Sequence, residues 1–340
     1  MTMMRAVVQD RYGAPEAVLQ LREVEIPTPA PDEVLVRVRA ASVNPDVWHA
    51  INGYPRLMRL MGAGLIRPKQ SIPGLDMAGE VMAVGRDVVD FRPGDAVFGE
   101  THDRIQWVSG GAYAEYVCVP HHVLSRKPEG ITYEQAATVP TSGTIALVNL
   151  RKFIGLKPGQ RILINGAAGG VGSVAIQIAK AKGAFVVAVD HTNKLEYMRQ
   201  LGADKVVDYT REDVTELEHD VDLIVDVAST LPVSACKRLL KADGLIVVIG
   251  HDHFGAKGRR TFGGIPYFLF LMLRARFDRH LPWPSFETME KRNALDILSR
   301  MLEAEELTPK VARTFRLSEV PAALKCLQEG QLCGRLVIVP

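Results

Sequence analysis

Cysteine is scarce in this 340-residue chain: Cys118, Cys236, Cys326 and Cys333 are its only four, and none stands in a Cys-x-x-Cys pair. This spacing argues against a disulfide scaffold and a zinc site of clustered thiolates, and it predicts free thiols in a reducing compartment, the cytoplasm. Aromatic residues are sparse, at 6 %. Long hydrophobic runs are missing too, since the best stretch, Ile265–Leu273, falls far short of the roughly 20 residues that span a bilayer as a helix. No charge of either sign dominates: Lys+Arg number 41 against Asp+Glu 39, and the basic residues are scattered rather than striped. Nucleic-acid binding therefore has no electrostatic footing. Met1–Asp10 holds a single arginine and runs straight into strand-like sequence, so no secretory or transit segment is read there.

The chain is longer than one core usually organises, which predicts more than one domain. From Arg5 to about Val119 the pattern is short strands and turns: Val34–Arg39 and Gly79–Val84 read as strands, and Pro93-Gly94-Asp95 as a turn before Ala96-Val97-Phe98. After Tyr133 helices alternate with strands at Arg161–Asn165, Phe185–Asp190, Lys205–Asp208, Asp222–Asp226 and Leu245–Ile249. That alternation makes a parallel sheet covered on both faces. From Phe286 two helices and a closing strand, Arg335–Val339, return to the first domain. The expected fold class is therefore α/β, a β-rich domain over residues 1–125 and 286–340 with a doubly wound domain over 126–260 inserted. Residues 261–285 form an apolar insertion, read as a pocket wall or subunit contact rather than a membrane segment.

Residues 161 to 172 run from a strand, Arg161-Ile162-Leu163-Ile164-Asn165, into Gly166-Ala167-Ala168-Gly169-Gly170-Val171-Gly172. Val171, Val174, Ala175 and Ile178 then recur at helical spacing. Gly169 and Gly172 fall on the last two glycines of G-x-G-x-x-G, and Ala167 on the first. A turn of this kind offers unpaired N–H groups to a pyrophosphate at the positive end of a helix dipole. Asp190, closing the next apolar strand, is the acidic residue that the dinucleotide fingerprint requires. Its carboxylate accepts from ribose hydroxyls and repels a 2′-phosphate, which favours NADH over NADPH; His191 and Lys194 are positioned to compensate.

The ordered series Val43-Asn44-Pro45, Pro73-Gly74-Leu75-Asp76-Met77-Ala78-Gly79, Pro93-Gly94-Asp95-Ala96-Val97, Gly111–Tyr116, the glycine turn and Leu201-Gly202-Ala203-Asp204 resembles the medium-chain dehydrogenase/reductase superfamily. Within it the chain is similar to the zinc-independent, zeta-crystallin-like quinone oxidoreductase branch. The resemblance covers nearly the whole chain. It implies a GroES-like domain plus a Rossmann domain, an NAD(P)H cofactor, a small apolar electron-poor substrate and a homodimer formed through Rossmann edge strands. It also counts Thr141, Lys194, Tyr209, Val227, Ile249 and Gly250 with the glycine turn as cofactor-binding residues.

Zinc-dependent relatives carry Cys where this chain has Asn44 and His where it has Leu75, and neither an amide nor an alkane replaces a catalytic zinc ligand. No metal is expected. His251-Asp252-His253 reads as a solvated loop. Without a Lewis acid the favoured chemistry is hydride delivery from a reduced nicotinamide to a quinone or to the C=C bond of an enal or enone. The resemblance makes Asn44 and Tyr54, in Gly53-Tyr54-Pro55, the candidate catalytic residues. Two positions depart from the family pattern. Val47 stands where relatives have Asp, with Asp46 displaced by one residue at what reads as a strand end, and Ile145 stands where relatives have Thr, with Thr144 or Thr141 as the substitute. Two other readings stay open: a zinc-free alcohol dehydrogenase-like activity, and a non-catalytic nucleotide-binding structural or interaction protein.

Overall fold

The computed structural model describes residues 2–102, 110–217, 220–250, 261–282 and 290–340, and of 151–154 the backbone alone. Contacts divide the chain into two compact units, Met1–Thr144 with Glu290–Pro340, and Ile145–Met289. The first division falls inside the helix Pro140–Ile154, later than the sequence boundary at 125/126. Residues 126–144 join the β-rich unit because Ser299 bonds the Arg126 carbonyl, the Thr141 hydroxyl bonds Asp76, and Gly143 lies against Leu298. The apolar stretch 261–282 belongs to the second unit.

In the first unit the strands are β1 (Met3–Gln9), β2 (Leu19–Glu25), β3 (Glu33–Ser42), β4 (Asp76–Val84), β5 (Ala96–Glu100), β6 (Tyr116–Pro120) and β7 (Leu124–Arg126). In the second they are β8 (Arg161–Asn165), β9 (Phe185–Asp190), β10 (Lys205–Asp208), β11 (Val221–Asp226) and β12 (Leu240–Val248), and β13 (Val311–Arg316) and β14 (Arg335–Val339) return to the first. β1 and β2 form a hairpin sheet, and a larger sheet runs β13-β14-β3-β4-β5-β7 with β6 also on β3. Along β3, Val34, Val36, Val38 and Ala40 are buried in alternation, and the last residues, Ala40–Ser42, are buried without interruption. The strand thus starts as a half-covered surface and ends inside the unit. β4 approaches it closely: a Cβ on Gly79 would lie 2.2 Å from the Arg37 carbonyl oxygen.

The segment after β3 is helix Pro45–Asn52, not a strand end. Proline suits its first turn and Gly53, with φ 65°, closes it in the left-handed conformation. Val47, Trp48, Ile51 and Asn52 form its buried face. Displacement by one residue here rotates a side chain about 100° around a helix rather than flipping it across a strand.

The second unit is an all-parallel sheet ordered β10-β9-β8-β11-β12. Ile162, Leu163 and Ile164 are all fully buried, as are Val186 and Ala188, the mark of strands covered on both faces. β12 begins before the expected Leu245, because Leu240 first pairs with Val221 and the register then shifts to Leu245 opposite Leu223. Helix Ile265–Ala275 is anchored by Leu271 in the core formed with Leu239, Ile246 and Leu281. Its Phe268, Leu269, Phe270 and Leu273 stay exposed.

Candidate functional site

At the carboxyl edge of the parallel sheet, Asn165 of β8 lies between Val189 of β9 and Asp226 of β11. The strand order reverses between β8 and β11, and in open α/β sheets ligands bind outside such a switch point. The glycine turn leaves β8 there. Gly166 and Ala167 donate their N–H groups to the Val189 carbonyl at 3.0 and 3.1 Å, and Gly169 donates to Gly166 at 3.2 Å. Ala168, expected to offer its N–H to a ligand, donates instead to Asp190 Oδ2 at 3.0 Å. Those N–H groups are consumed in building the turn. The next helix, Gly170–Ala181, has Gly169 as its N-cap and no capping side chain. The N–H groups of Gly170, Val171 and Gly172 therefore have no carbonyl one turn back.

The two key glycines do different work. A Cβ on Gly172 would meet the Gly166 carbonyl oxygen at 2.3 Å and Ala167 Cα at 2.7 Å, so Gly172 lets the helix seat on its own turn. A Cβ on Gly169 would meet only that oxygen, at 3.2 Å. Gly169 leaves the mouth of the turn open. This cradle of amides at a helix N-terminus fits a pyrophosphate.

Around the cradle, Asn165 Nδ2 donates to Asp226 Oδ1 at 2.7 Å and to Thr230 Oγ1 at 2.9 Å. Burial pushes the Asp226 carboxyl up. Val227 donates its N–H to the Asn165 carbonyl and Ile249 to Asp226, while the Gly250 carbonyl accepts from Ser229 Oγ. All three thus sit at the ends of β11 and β12 beside the turn. Tyr267, on the apolar helix, has its phenol raised by burial first and then by the nearby charges of Asp226 and Cys236. Asp190 is buried and does not project freely toward a ribose: Oδ2 takes the Ala168 N–H, and Oδ1 takes the His191 N–H at 2.8 Å and pairs with Lys194 Nζ at 3.2 Å. Tyr209 is exposed and stands edge-on to His191 at 6.0 Å between centroids.

In the first unit a second cluster forms around Asp76, which is fully buried at the start of β4. Its Oδ2 accepts from Ser42 Oγ at 3.1 Å, Asn44 Nδ2 at 3.0 Å and the Thr141 N–H at 3.3 Å, and its Oδ1 accepts from Thr141 Oγ1 at 2.6 Å. Asn44 Nδ2 also donates to Ser42 Oγ at 3.1 Å, and Asn44 Oδ1 accepts from the Arg335 guanidinium. Both amide hydrogens of Asn44 are therefore engaged. Although Asn44 occupies the N-cap position of helix Pro45–Asn52, its side chain makes no cap. Tyr113, also fully buried, donates its hydroxyl to the Ser42 carbonyl at 3.2 Å. Burial raises the Asp76 carboxyl, opposed by the hydrogen bonds of Thr141 and Asn44 and by the charge of Arg335.

The other expected residues fall as follows. Leu75 is buried beside Asp76, and among the described residues no group of three or more His, Cys, Asp or Glu is arranged to hold a metal ion. His251-Asp252-His253 lies outside them. Val47 is buried and Asp46 is half-buried. Tyr54 is half-buried, its backbone held by His49, whose Nδ1 lies 3.0 Å from the Tyr54 carbonyl. Of the two threonines offered as substitutes, Thr141 gives its hydroxyl to Asp76, while Thr144 Oγ1 is buried with no partner among the described residues. Sequence reasoning missed Ser42, Asp76, Tyr113 and Arg335; the only local signal was an aspartate inside an apolar strand, Leu75-Asp76-Met77-Ala78.

Residues 30–129 match the model of the alcohol dehydrogenase GroES-like domain, and residues 201–338 that of the zinc-binding dehydrogenases. The mitochondrial NAD(P)H oxidoreductase RTN4IP1 of Mus musculus is 33 % identical over 359 residues, covering 99 % of this chain and 89 % of that one. The chain belongs to the medium-chain dehydrogenase/reductase superfamily, among its quinone oxidoreductase-like members. A 2-methylene-furan-3-one reductase of Solanum lycopersicum is 33 % identical over 345 residues, 99 % of this chain and 79 % of that one. The quinone oxidoreductase of Coxiella burnetii superposes with a TM-score of 0.82 at 27 % identity, each chain covered completely (100 %). The fold of this oxidoreductase is accordingly a GroES-like domain plus a Rossmann-like parallel sheet.

Proposed function

We propose that the chain reduces quinones or activated C=C bonds of enones and enals with NAD(P)H. Its class, an NAD(P)-dependent oxidoreductase, follows from the family; the substrate follows from chemistry. The observation that carries the proposal is the set of N–H groups on Gly170, Val171 and Gly172, left without helical acceptors at the switch point of the parallel sheet. These would hold the pyrophosphate, with Asp190, Lys194 and Tyr209 toward the adenosine end and Val227, Ile249 and Gly250 along the strand ends. When bound, the reduced nicotinamide supplies the hydride. The protein excludes water and returns a proton to the product oxygen. Thr144, whose hydroxyl has no partner among the described residues, keeps the hydrogen-bonding capacity that Thr141 spends on Asp76. Asn44, with both its amide hydrogens engaged, positions its neighbours rather than donating to substrate. The exposed apolar face of helix Ile265–Ala275 supports a pocket wall or a homodimer contact.

For the cofactor we favour NADH by a small margin. Asp190 already accepts from two backbone N–H groups and Lys194, which leaves about one of its roughly four acceptor sites for a ribose hydroxyl. Lys194 offsets the charge that would repel a phosphate. The free thiols agree with a cytoplasmic location. Oxidation of NADH and NADPH should be followed with a panel of quinones, enones and enals, with nucleotide binding measured by calorimetry. Turnover of an electron-poor acceptor supports the reading, and tight nucleotide binding with no turnover of any acceptor refutes it.

A further inference from the structure

A surface helix ordinarily buries an apolar stripe and turns charged residues to water. Helix Ile265–Ala275 does not. At about 100° per residue, Pro266, Leu269, Phe270 and Leu273 share a stripe centred opposite Leu271, the one buried residue of the helix. All four are exposed. Leu269 is 58 % exposed, Leu273 65 % and Phe277, just past the helix end, 83 %, so the outward face is the apolar one. Five aromatic side chains, Phe262, Tyr267, Phe268, Phe270 and Phe277, stand exposed in this short stretch of a chain that is only 6 % aromatic. The charge beside the stripe is of one sign. Asp278 is the only acid between Thr261 and Pro282, and it is buried between Lys237 and Arg274, at 2.5 and 3.2 Å. Arg276 and Arg279 are exposed and make no ion pair among the described residues.

We propose that this helix docks on an anionic lipid surface, lying in the plane of the interface with Leu269, Phe270, Leu273 and Phe277 among the acyl chains and Arg276 and Arg279 at the headgroups. A pocket wall or a second copy accounts for the apolar stripe but leaves the two guanidiniums unexplained. An isologous contact sets one patch against itself, and this patch holds no spare acid to meet them. Anionic headgroups supply that charge. An apolar helix face immersed beside cations at headgroup level is the arrangement a lipid interface stabilises, and exposed aromatic rings favour the same boundary, where one side is apolar and the other wet. At 11 residues the helix is about 16 Å long, too short to cross a bilayer. Leu271, held in the core with Leu239, Ile246 and Leu281, ties the docked face to the folded unit. The inference goes beyond the reductase reading and does not rest on it.

Vesicle sedimentation of the intact protein reads the docking without turnover. Phosphatidylcholine vesicles containing about one-third phosphatidylglycerol should carry the protein down, and added salt should weaken the attachment. Leu269→Ser with Leu273→Ser alters exposed side chains only, so it should leave the unfolding midpoint in place and abolish sedimentation. Arg276→Gln with Arg279→Gln should weaken binding to the anionic vesicles by about twentyfold, roughly fivefold for each cation, and leave any binding to phosphatidylcholine alone unchanged. Failure of the wild type to sediment with anionic vesicles, or sedimentation that survives the serine pair, overturns the proposal. If the serine pair does not fold, the arginine pair decides, and undiminished binding of that variant to anionic vesicles overturns it as well. A wild type that self-associates in ultracentrifugation and binds no vesicles, beside a monomeric serine pair, excludes the lipid surface and makes the occupant a second copy.

Discussion

The two clusters are built from opposite materials. In the parallel-sheet unit the proposed recognition surface is backbone: amides of Gly170, Val171 and Gly172, with glycine at 169, 170 and 172 so that a ligand can approach. In the GroES-like unit it is side chain, a closed set of Ser42, Asn44, Asp76, Thr141 and Arg335 in which hydrogen bonds fix every member. Backbone recognition tolerates change wherever a Cβ finds room. A buried polar set does not, because removing one member leaves the others desolvated and unpaired.

The largest test of that contrast is Asp76→Ala, which strips the acceptor from Ser42, Asn44 and Thr141 and removes the carboxylate that the Arg335 charge acts on. A loss of about 3–5 kcal/mol is expected in denaturant unfolding. A loss below about 1 kcal/mol would show that the cluster is not interdependent. Next come the glycines. Gly172→Ala should destabilise the fold by about 1–3 kcal/mol, because its Cβ meets carbonyl and Cα atoms of the turn, while Gly169→Ala, at an ordinary φ of −71°, should keep the fold and weaken NAD(P)H binding in calorimetry. If Gly169→Ala binds NAD(P)H as the wild type does, the cradle is not the pyrophosphate site. A smaller effect is expected at the strand end. Asp190→Ser with Asn193→Arg should move the NADPH/NADH ratio of kcat/KM toward NADPH by about tenfold, an added charge-assisted contact with guanidinium. A wild type preferring NADPH, or a ratio that does not move, removes Asp190 from cofactor choice. Smallest is Thr144→Val, which deletes a buried hydroxyl with no partner among the described residues: stability should change by less than about 1 kcal/mol, and any effect should fall on KM rather than on unfolding.

The same contrast governs how far the residues could be read in advance. Strands buried on both faces appear as apolar runs, which is why Arg161–Asn165, Phe185–Asp190 and Arg335–Val339 were legible to the residue; the half-buried edge strand Lys205–Asp208 was legible through its place in the helix–strand alternation. The glycine turn announced itself because strand, turn and helix are consecutive. Asn44 was visible only through resemblance, and its pairing with its partners was not visible: Asp76 lies 32 residues away and Arg335 lies 291 away. Nothing in local spacing encodes such pairs. The helix Pro45–Asn52 was misread as a strand end because β3 runs into it without a turn signal, although Pro45 and Gly53 were its start and stop. The use of the Ala168 N–H by Asp190 was also hidden, since the fingerprint assigns that carboxylate to a ligand and is silent about its own turn.

Arg335 reaches Asn44 across nearly the whole length of the chain. On a ribosome adding about 5–20 residues per second, Asp76 and Asn44 emerge some ten seconds or more before the arginine that completes their charge balance. The parallel-sheet unit is synthesised entirely within that interval. The nascent GroES-like portion therefore waits, with an acid destined for burial still in need of water, until the last strand of the protein has been made.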